Sequence, residues 1–451
     1  MMCDPAWSAR LAVAIAANGV PGASLAIRHK GETAIAVAGV TDMATAAAVT
    51  PDTIFRLGSM TKAFTAALVM QQVAAGRFDL DAPVRAVLPE LVLADEAAAA
   101  AVTPRQLLSH RGGFFGDILD GPSEGDDALA AYVAAGKRLE QVTAPGTGFS
   151  YCNAGFAIAG RMTEVAGGDI WDRMFGDRLA KPLGMMRTGA RLDAIPQDDV
   201  ATSHGVDARG QPVLLSPDTD GRAMAPAGAT GWTTPSDVLA FAAMLMGECP
   251  DVLAPASIAT MRALAVAGPT PTFATGWGLG LQRFTRNGET FGHDGAVAGQ
   301  NSFLRIVAQQ ELALVLCCNG GDARGLFADI WAALEADHGM PLADALPDWP
   351  TPVPVADPTR YAGRYAVPRY AVEVSPNDEG LHARFIPTAD AGDFGAPVDV
   401  VMRRQPDDPT GELFLTRFGT ARLPTQQRFM RLADGRRALL FRGRLFPGAA
   451  T

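Results

Sequence analysis

Between Pro341 and Pro358, six of the chain's 32 prolines fall within 18 residues. No helix interior or central strand tolerates that density, because each proline fixes φ and removes a backbone donor. The segment reads as a stiff, extended linker, and it divides a 451-residue chain into two parts with different hydrophobic patterning. Ahead of it, Ala23 to Arg28 and Ala34 to Gly39 have the pattern of a hairpin, and a first amphipathic helix before them ends at Asn18-Gly19. Helical periodicity then runs from Ser59 to Ala75 and returns at Pro104 to Ser109, Asp127 to Leu139, Asn153 to Val165, Ile170 to Leu179 and Pro235 to Met246. Strand-like runs come back at Gly278 to Phe284, Thr290 to Gly292, Asn301 to Val307 and Leu312 to Cys318, closed by a helix from Gly325 to Ala336. Strands at both ends of a helical stretch predict one sheet built from the two ends, an α/β (α+β) layer with an all-helical subdomain.

Beyond the linker the runs are short and alternating: Arg364 to Val367, Tyr370 to Val374, Leu381 to Ile386, Val398 to Arg403, Glu412 to Phe418, Gln427 to Leu432 and Arg437 to Phe441. About seven strands separated by turn residues predict a small antiparallel barrel or sandwich. The expected organisation is a sheet-and-helix domain over residues 1–340, a linker over 341–358 and an all-β barrel over 359–451.

Composition narrows the function classes. Hydrophobic residues make up 48% and charged residues 19%, enough to bury a large core and too apolar for disorder. Acidic residues outnumber basic ones by 48 to 38 and no basic tract occurs, which argues against a nucleic-acid partner. No apolar run reaches the ~18 residues of a membrane helix. The short run Leu11 to Ala17 follows Asp4 and Arg10, a poor positive leader for secretion, so cytoplasmic residence is expected. Five scattered cysteines without a C-x-x-C pair fit neither a disulfide framework nor a zinc site. Neither a metal nor a cofactor is expected.

Of the 38 basic residues only four are lysine: Lys30, Lys62, Lys137 and Lys181. One of them completes Ser59-Met60-Thr61-Lys62, placed after Gly58 at the start of a long helix. With 12 serines in the chain, chance gives about 0.1 such matches. A spacing of three brings the ammonium over the hydroxyl one turn along, at a helix start that favours developing negative charge. Arginine cannot give up its proton there, whereas a buried lysine can move one. Taken alone, the same spacing also describes an exposed lysine beside an N-capping serine. Tyr151-Cys152-Asn153 follows a turn-rich lead-in, and two residues apart in an extended segment the phenol and the amide face one way. A core tyrosine with a capping asparagine would have the same pattern. His293-Asp294-Gly295 lies between strand-like runs, with Gly295 expected to leave room beside His293 for a substrate backbone.

In combination, S-x-x-K, Y-x-N and a basic-x-Gly triplet, in that order, resemble the serine β-lactamases of class C, the DD-peptidases and the related esterases and D-aminopeptidases. Connecting segments are similar too: Phe55-Arg56-Leu57-Gly58-Ser59, Leu107-Leu108-Ser109-His110-Arg111-Gly112-Gly113 and Pro226-Ala227-Gly228. The resemblance covers about residues 10 to 335, and the tail from Tyr361-Ala362-Gly363-Arg364-Tyr365 resembles lipocalin-like barrels. It implies a β-lactamase/transpeptidase-like fold with Ser59 as nucleophile and Lys62 and Tyr151 handling its proton. Asn153 would bind the substrate amide and help place Lys62, and His293 would fill the electropositive place of the third motif. The N–H groups of Ser59 and Ala296, the latter just past Gly295, would form an oxyanion hole. The departure is the triplet itself, where β-lactamases have Lys-Thr-Gly. A histidine beside Asp294 is a weaker carboxylate binder, which tilts the expectation toward esterase or aminopeptidase chemistry.

Three readings follow. The first is a serine hydrolase cleaving ester or amide bonds of small acyl compounds or short peptides, D-residue-containing ones among them. The second is a peptide cyclase that passes the acyl group to an amine, and the third is a non-catalytic binding relative. Phe114, Phe115, Ile118 and Trp232, in or beside the variable loops, hint at a hydrophobic acyl pocket. The sequence does not set the oligomeric state.

Overall fold

The structure is a computed structural model that describes residues 3–449 apart from 116–117, 119–122, 207–211, 216–220, 269, 271–273, 286–287, 340–346, 388–396 and 420. Its centre is a nine-stranded antiparallel sheet in which the N-terminal hairpin, Gly22–His29 with Glu32–Asp42, pairs with the late strand Leu312–Cys318. The register runs from Ala23 opposite Cys318 to His29 opposite Leu312. Gln300–Val307 and Thr290–Val297 follow, and three two-residue strands complete the far edge. The sheet is thus built from both ends of the segment, as the periodicity predicts.

Alternation along the central strands supplies two cores. Leu25, Ile27, Leu314 and Leu316 point to one face and pack with Leu11, Ile15, Leu326, Ile330 and Trp331. These come from the helices Pro5–Ala17 and Ala323–His338. Ala26, Ala313, Val315 and Cys317 point to the other face, against the helices Thr61–Ala74 and Pro235–Leu245. Both faces are covered, so Leu312–Cys318 reads as one unbroken apolar run. Each fully buried leucine or isoleucine here contributes roughly 1.5–3 kcal/mol. The first helix is framed by local chemistry: the Asp4 carboxylate accepts from the Ala6 and Trp7 amides, and Gly19 takes φ +58° just past the Asn18 cap.

Two strand expectations change. Gly278 to Phe284 is not one strand: Gly276–Trp277 and Gln282–Arg283 are joined by a turn in which Gly280 takes φ +65°. The run Thr290 to Gly292 continues to Val297, so His293-Asp294-Gly295 lies within a strand and not between strands.

Among the described residues the second sheet has eight strands, each beside its sequence neighbour. A bridge from Tyr365 to Gly448 brings the last edge back to the first, giving a nearly closed barrel. Tyr365, Val372, Leu381, Met402, Phe414, Phe429, Leu439 and Phe441 fill it. Seven strands were expected, and the eighth is Arg444–Pro447. It pairs with Arg437–Phe441 across the two-residue turn Arg442-Gly443, at φ +50° and +77°. Such turns usually carry Asn-Gly or Asp-Gly, and Arg-Gly hides this one. In the proline-rich segment, residues 347–357 contain no helix or strand, and Pro358 opens the short 3₁₀ helix Pro358–Arg360. The guanidinium groups of Arg403 and Arg417 lie over the ring of Trp349 within this segment, at 4.7 and 5.0 Å.

Candidate active site

Three backbone segments meet around Ser59. Gly58–Met60 forms a 3₁₀ turn that feeds the helix Thr61–Ala74, with Gly58 at φ +54°. A Cβ at Gly58 would lie 2.6 Å from the Ala296 amide nitrogen, and one at Gly228 would lie 2.1 Å from the Gly58 carbonyl. Glycine is required at both places because neighbouring main chains fill the space a side chain needs.

One turn beyond Ser59, the Lys62 side chain is wholly buried. Its ammonium donates to Ser59 Oγ at 3.0 Å and to the Ala227 carbonyl at 2.6 Å, and it lies 4.8 Å from the centre of the Tyr151 ring. A buried ammonium without such acceptors would be very costly. Here a backbone oxygen and a hydroxyl orient it toward the serine. Ser59, Lys62 and Tyr151 therefore come together as one cluster.

The extended segment carrying Tyr151 ends at Cys152, because Asn153 has helical dihedrals and starts the helix Ala154–Gly167. The Asn153 Oδ1 is buried and has no hydrogen-bond partner among the described residues. That atom does not hold Lys62, contrary to expectation. It is an unsatisfied acceptor of the kind that bound ligand groups complete.

His293 is also buried, 1% exposed. Its Nδ1 donates to the Asp294 carbonyl at 2.6 Å, which leaves Nε2 as a buried acceptor without a partner among the described residues. Burial, followed by the charge of Lys62, pushes its pKa down to about 3. The imidazole is therefore neutral across the physiological range, and the third motif is not electropositive as expected. Asp294 adds no free negative charge either. It is paired with buried Arg305, whose guanidinium lies over the Phe284 and Phe327 rings at 3.4 and 4.5 Å.

The space at Gly295 is also not open to a substrate: a Cβ there would meet the Leu57 carbonyl at 2.1 Å and Ser302 Oγ at 2.3 Å. The glycine allows the strand to approach the Ser59 turn. Ala298-Gly299 is a two-residue hairpin loop, so Val297 and Gln300 form its closing pair. Alternation along the ladder then turns the Ala296 N–H away from the partner strand, to the side where Gly58 and Ser59 lie.

Several residues near this cluster were not singled out from the sequence. Ala227, which accepts from Lys62, was visible only as part of Pro226-Ala227-Gly228. His110 stacks on Tyr151 with ring centres 4.3 Å apart, and Trp277 stands edge-on to His110 at 4.7 Å. From the barrel, Gly443 accepts from the Tyr151 amide at 2.8 Å and Arg444 lies 5.8 Å from the Tyr151 ring. Arg-Gly between two apolar runs carries no signal of catalysis. The hinted acyl-pocket residues are core instead: Phe114 and Ile118 pack in the main core and Phe115 in the barrel core. Trp232 is buried against Gly189. Among the described residues no group of three or more His, Cys, Asp or Glu is placed to hold a metal ion, and no helix is long and apolar enough to cross a membrane.

Residues 8–338 match the Beta-lactamase family, and the chain belongs to it, within the wider β-lactamase and DD-peptidase superfamily. Penicillin-binding protein 4 of Amycolatopsis lactamdurans is 39% identical over 366 residues, 78% of this chain and 95% of that protein. A D-aminopeptidase of Gluconobacter oxydans is 27% identical over 84% of this chain and 71% of its own length. The crystal structure of SurE with D-Leu superposes with a TM-score of 0.76 at 28% identity, covering 98% of this chain and 99% of that one. The chain thus has the family's serine-hydrolase type of fold and adds the barrel to it.

Proposed function

We propose that the protein is a serine hydrolase that cleaves ester or amide bonds of small acyl compounds or short peptides through an acyl-enzyme on Ser59. The observation that carries this reading is the buried Lys62 ammonium, 3.0 Å from Ser59 Oγ and 4.8 Å from the Tyr151 ring centre. The Lys62–Tyr151 pair, having given up one of its protons to solvent, takes the hydroxyl proton as Ser59 Oγ attacks the substrate carbonyl. The N–H groups of Ser59 and Ala296 stabilise the oxyanion, and the leaving amine or alcohol departs with a proton. Water then attacks the acyl-enzyme and releases the acid.

The empty acceptors Asn153 Oδ1 and His293 Nε2 favour substrates that present N–H groups over ones that present a carboxylate. That preference, together with the D-aminopeptidase relative, supports D-aminoacyl amides and esters as the first substrates to try. The same reading divides the chain into a catalytic domain over 1–340, a linker over 341–358 and a lipocalin-like barrel over 359–451, with cytoplasmic residence and no cofactor. Fluorophosphonate labelling tests it: Ser59→Ala is expected to lose both label and turnover, and undiminished turnover in that variant overturns the assignment.

A second reading is favoured by the barrel turn Arg442-Gly443 at the Tyr151 side of the cluster. There the acyl group passes to an amine of the same or another peptide, giving a cyclic or extended product. A peptidyl thioester separates the two readings, since linear acid supports hydrolysis and a cyclic peptide supports transfer.

A further inference from the structure

We propose that Tyr151 is held in register with Lys62 by a two-sided clamp, one jaw being His110 and the other the Arg442-Gly443 turn of the barrel, so that the barrel is a working part of the catalytic centre. The inference rests on the acyl-enzyme reading and adds positioning residues to it. Three consecutive amides carry the argument. The Ser150 N–H donates to the His110 carbonyl at 3.0 Å, the Tyr151 N–H to the Gly443 carbonyl at 2.8 Å and the Cys152 N–H to His110 Nδ1 at 3.0 Å. Successive amides of an extended segment point to opposite sides, so His110 holds the two outer ones and the barrel holds the middle one. A fourth bond closes the barrel side, from the Leu445 N–H to Ser150 Oγ at 3.1 Å.

Neither jaw is an incidental contact. His110 takes φ +58°, a conformation that costs a side chain about 1 kcal/mol or more. It is buried among Phe149, Tyr151, Phe156 and Trp277. Its left-handed backbone lets the carbonyl and Nδ1 of one residue reach amides two apart, while the ring covers the face of Tyr151. Burial and then Lys62 hold His110 well below the usual histidine range, so Nδ1 stays an acceptor. In the other jaw, Arg442 also takes a positive φ, and its amide donates to the Gln427 side chain inside the barrel at 2.8 Å. This ties the turn to the barrel interior, because the Gln427 amide is itself bonded to Thr416 and Thr425. The charged groups facing Tyr151 are Lys62 from the helix and Arg444 from the barrel, with neutral His110 against its ring.

The experiment uses the full-length protein and a p-nitrophenyl ester. It compares His110→Phe, His110→Asn, Gly443→Val, Gly443→Asn and Gln427→Met for kcat, KM, melting temperature and the pH dependence of kcat/KM, with Ser59→Ala alongside. Asparagine tolerates positive φ and at 110 keeps an acceptor, whereas phenylalanine keeps only the ring and valine at 443 opposes the turn. Loss of either jaw is expected to lower kcat about 10- to 100-fold with KM changed less than about threefold. The acid limb should move up by about half a pH unit or more, because Tyr151 drawn away from the Lys62 ammonium loses its proton less readily. The asparagine variants should recover most of the activity. Gln427→Met, remote from the substrate, should displace the limb in the same direction even where Gly443→Val does not fold. Unchanged acid limbs in His110→Phe and Gln427→Met, with activity following melting temperature alone, overturn the clamp. Turnover by Ser59→Ala overturns instead the acyl-enzyme reading beneath it.

Discussion

The two halves of the candidate site are built in opposite ways. Ser59 and Lys62 sit three residues apart on one turn, and helix geometry brings them into contact, with the Ala227 carbonyl as a distant acceptor on Lys62. Tyr151 is held by a residue 42 positions from Cys152 in sequence and by a strand 295 positions from Ser150, so its place depends on the packing of two sheets and a helical subdomain. Chemistry that needs only near neighbours survives wherever the helix forms. Chemistry that needs distant segments is exposed to every change in how they dock.

The largest expected effect lies in the local half. Ser59→Ala should lower turnover by roughly 10⁴-fold or more, and Lys62→Arg nearly as far, since a guanidinium cannot release its proton; steady-state kinetics on an activated ester measures both. Next is Gly228→Ala, where a Cβ would lie 2.1 Å from the Gly58 carbonyl and 2.8 Å from the Ser59 nitrogen. Displacing that amide should lower kcat by about 10²-fold. That loss, read from steady-state kinetics, would show that the Ser59 turn also leans on a segment distant in sequence, and a wild-type kcat would show that local geometry alone sets it.

His293 probes the assembled half through stability. Its folded pKa of about 3 lies below the unfolded value of 6.5, so between those limits the unfolded chain binds the extra proton and stability falls as pH falls. The loss begins below pH 6.5, approaches completion near pH 3, and has an upper bound of about 5 kcal/mol. Denaturant melts of His293→Asn across pH 7 to 4 should show a flatter acid dependence than wild type, and an identical slope would mean that the histidine is hydrated. The smallest effect is Trp349→Ala. Losing the contacts with the Arg403 and Arg417 guanidinium groups should cost about 1–2 kcal/mol of thermal stability and leave kcat unchanged, because Gly443 still reaches Tyr151.

Much of the architecture was legible in the chain. The unbroken apolar run at Leu312–Cys318 and the N-terminal hairpin announced a sheet closed from both ends, and the short alternating runs announced the barrel. What escaped notice has a common origin. The strand Arg444–Pro447 follows a turn whose first residue, Arg442, takes a positive φ that arginine seldom adopts. Phe114, Phe115 and Ile118 looked like pocket walls because an apolar loop residue and an apolar core residue have the same letters.

The sequence by itself determined the periodicities that make the sheet, helices and barrel, and the three-residue spacing that puts an ammonium on a serine hydroxyl. These depend on neighbours along the chain, and backbone geometry is the same for every helix and strand. Only the tertiary structure decided that His293 is neutral, that Asp294 is cancelled by Arg305 and that Tyr151 rests against the barrel. Burial and electrostatic fields are sums over atoms brought together from distant parts of the chain, and no local pattern contains that sum.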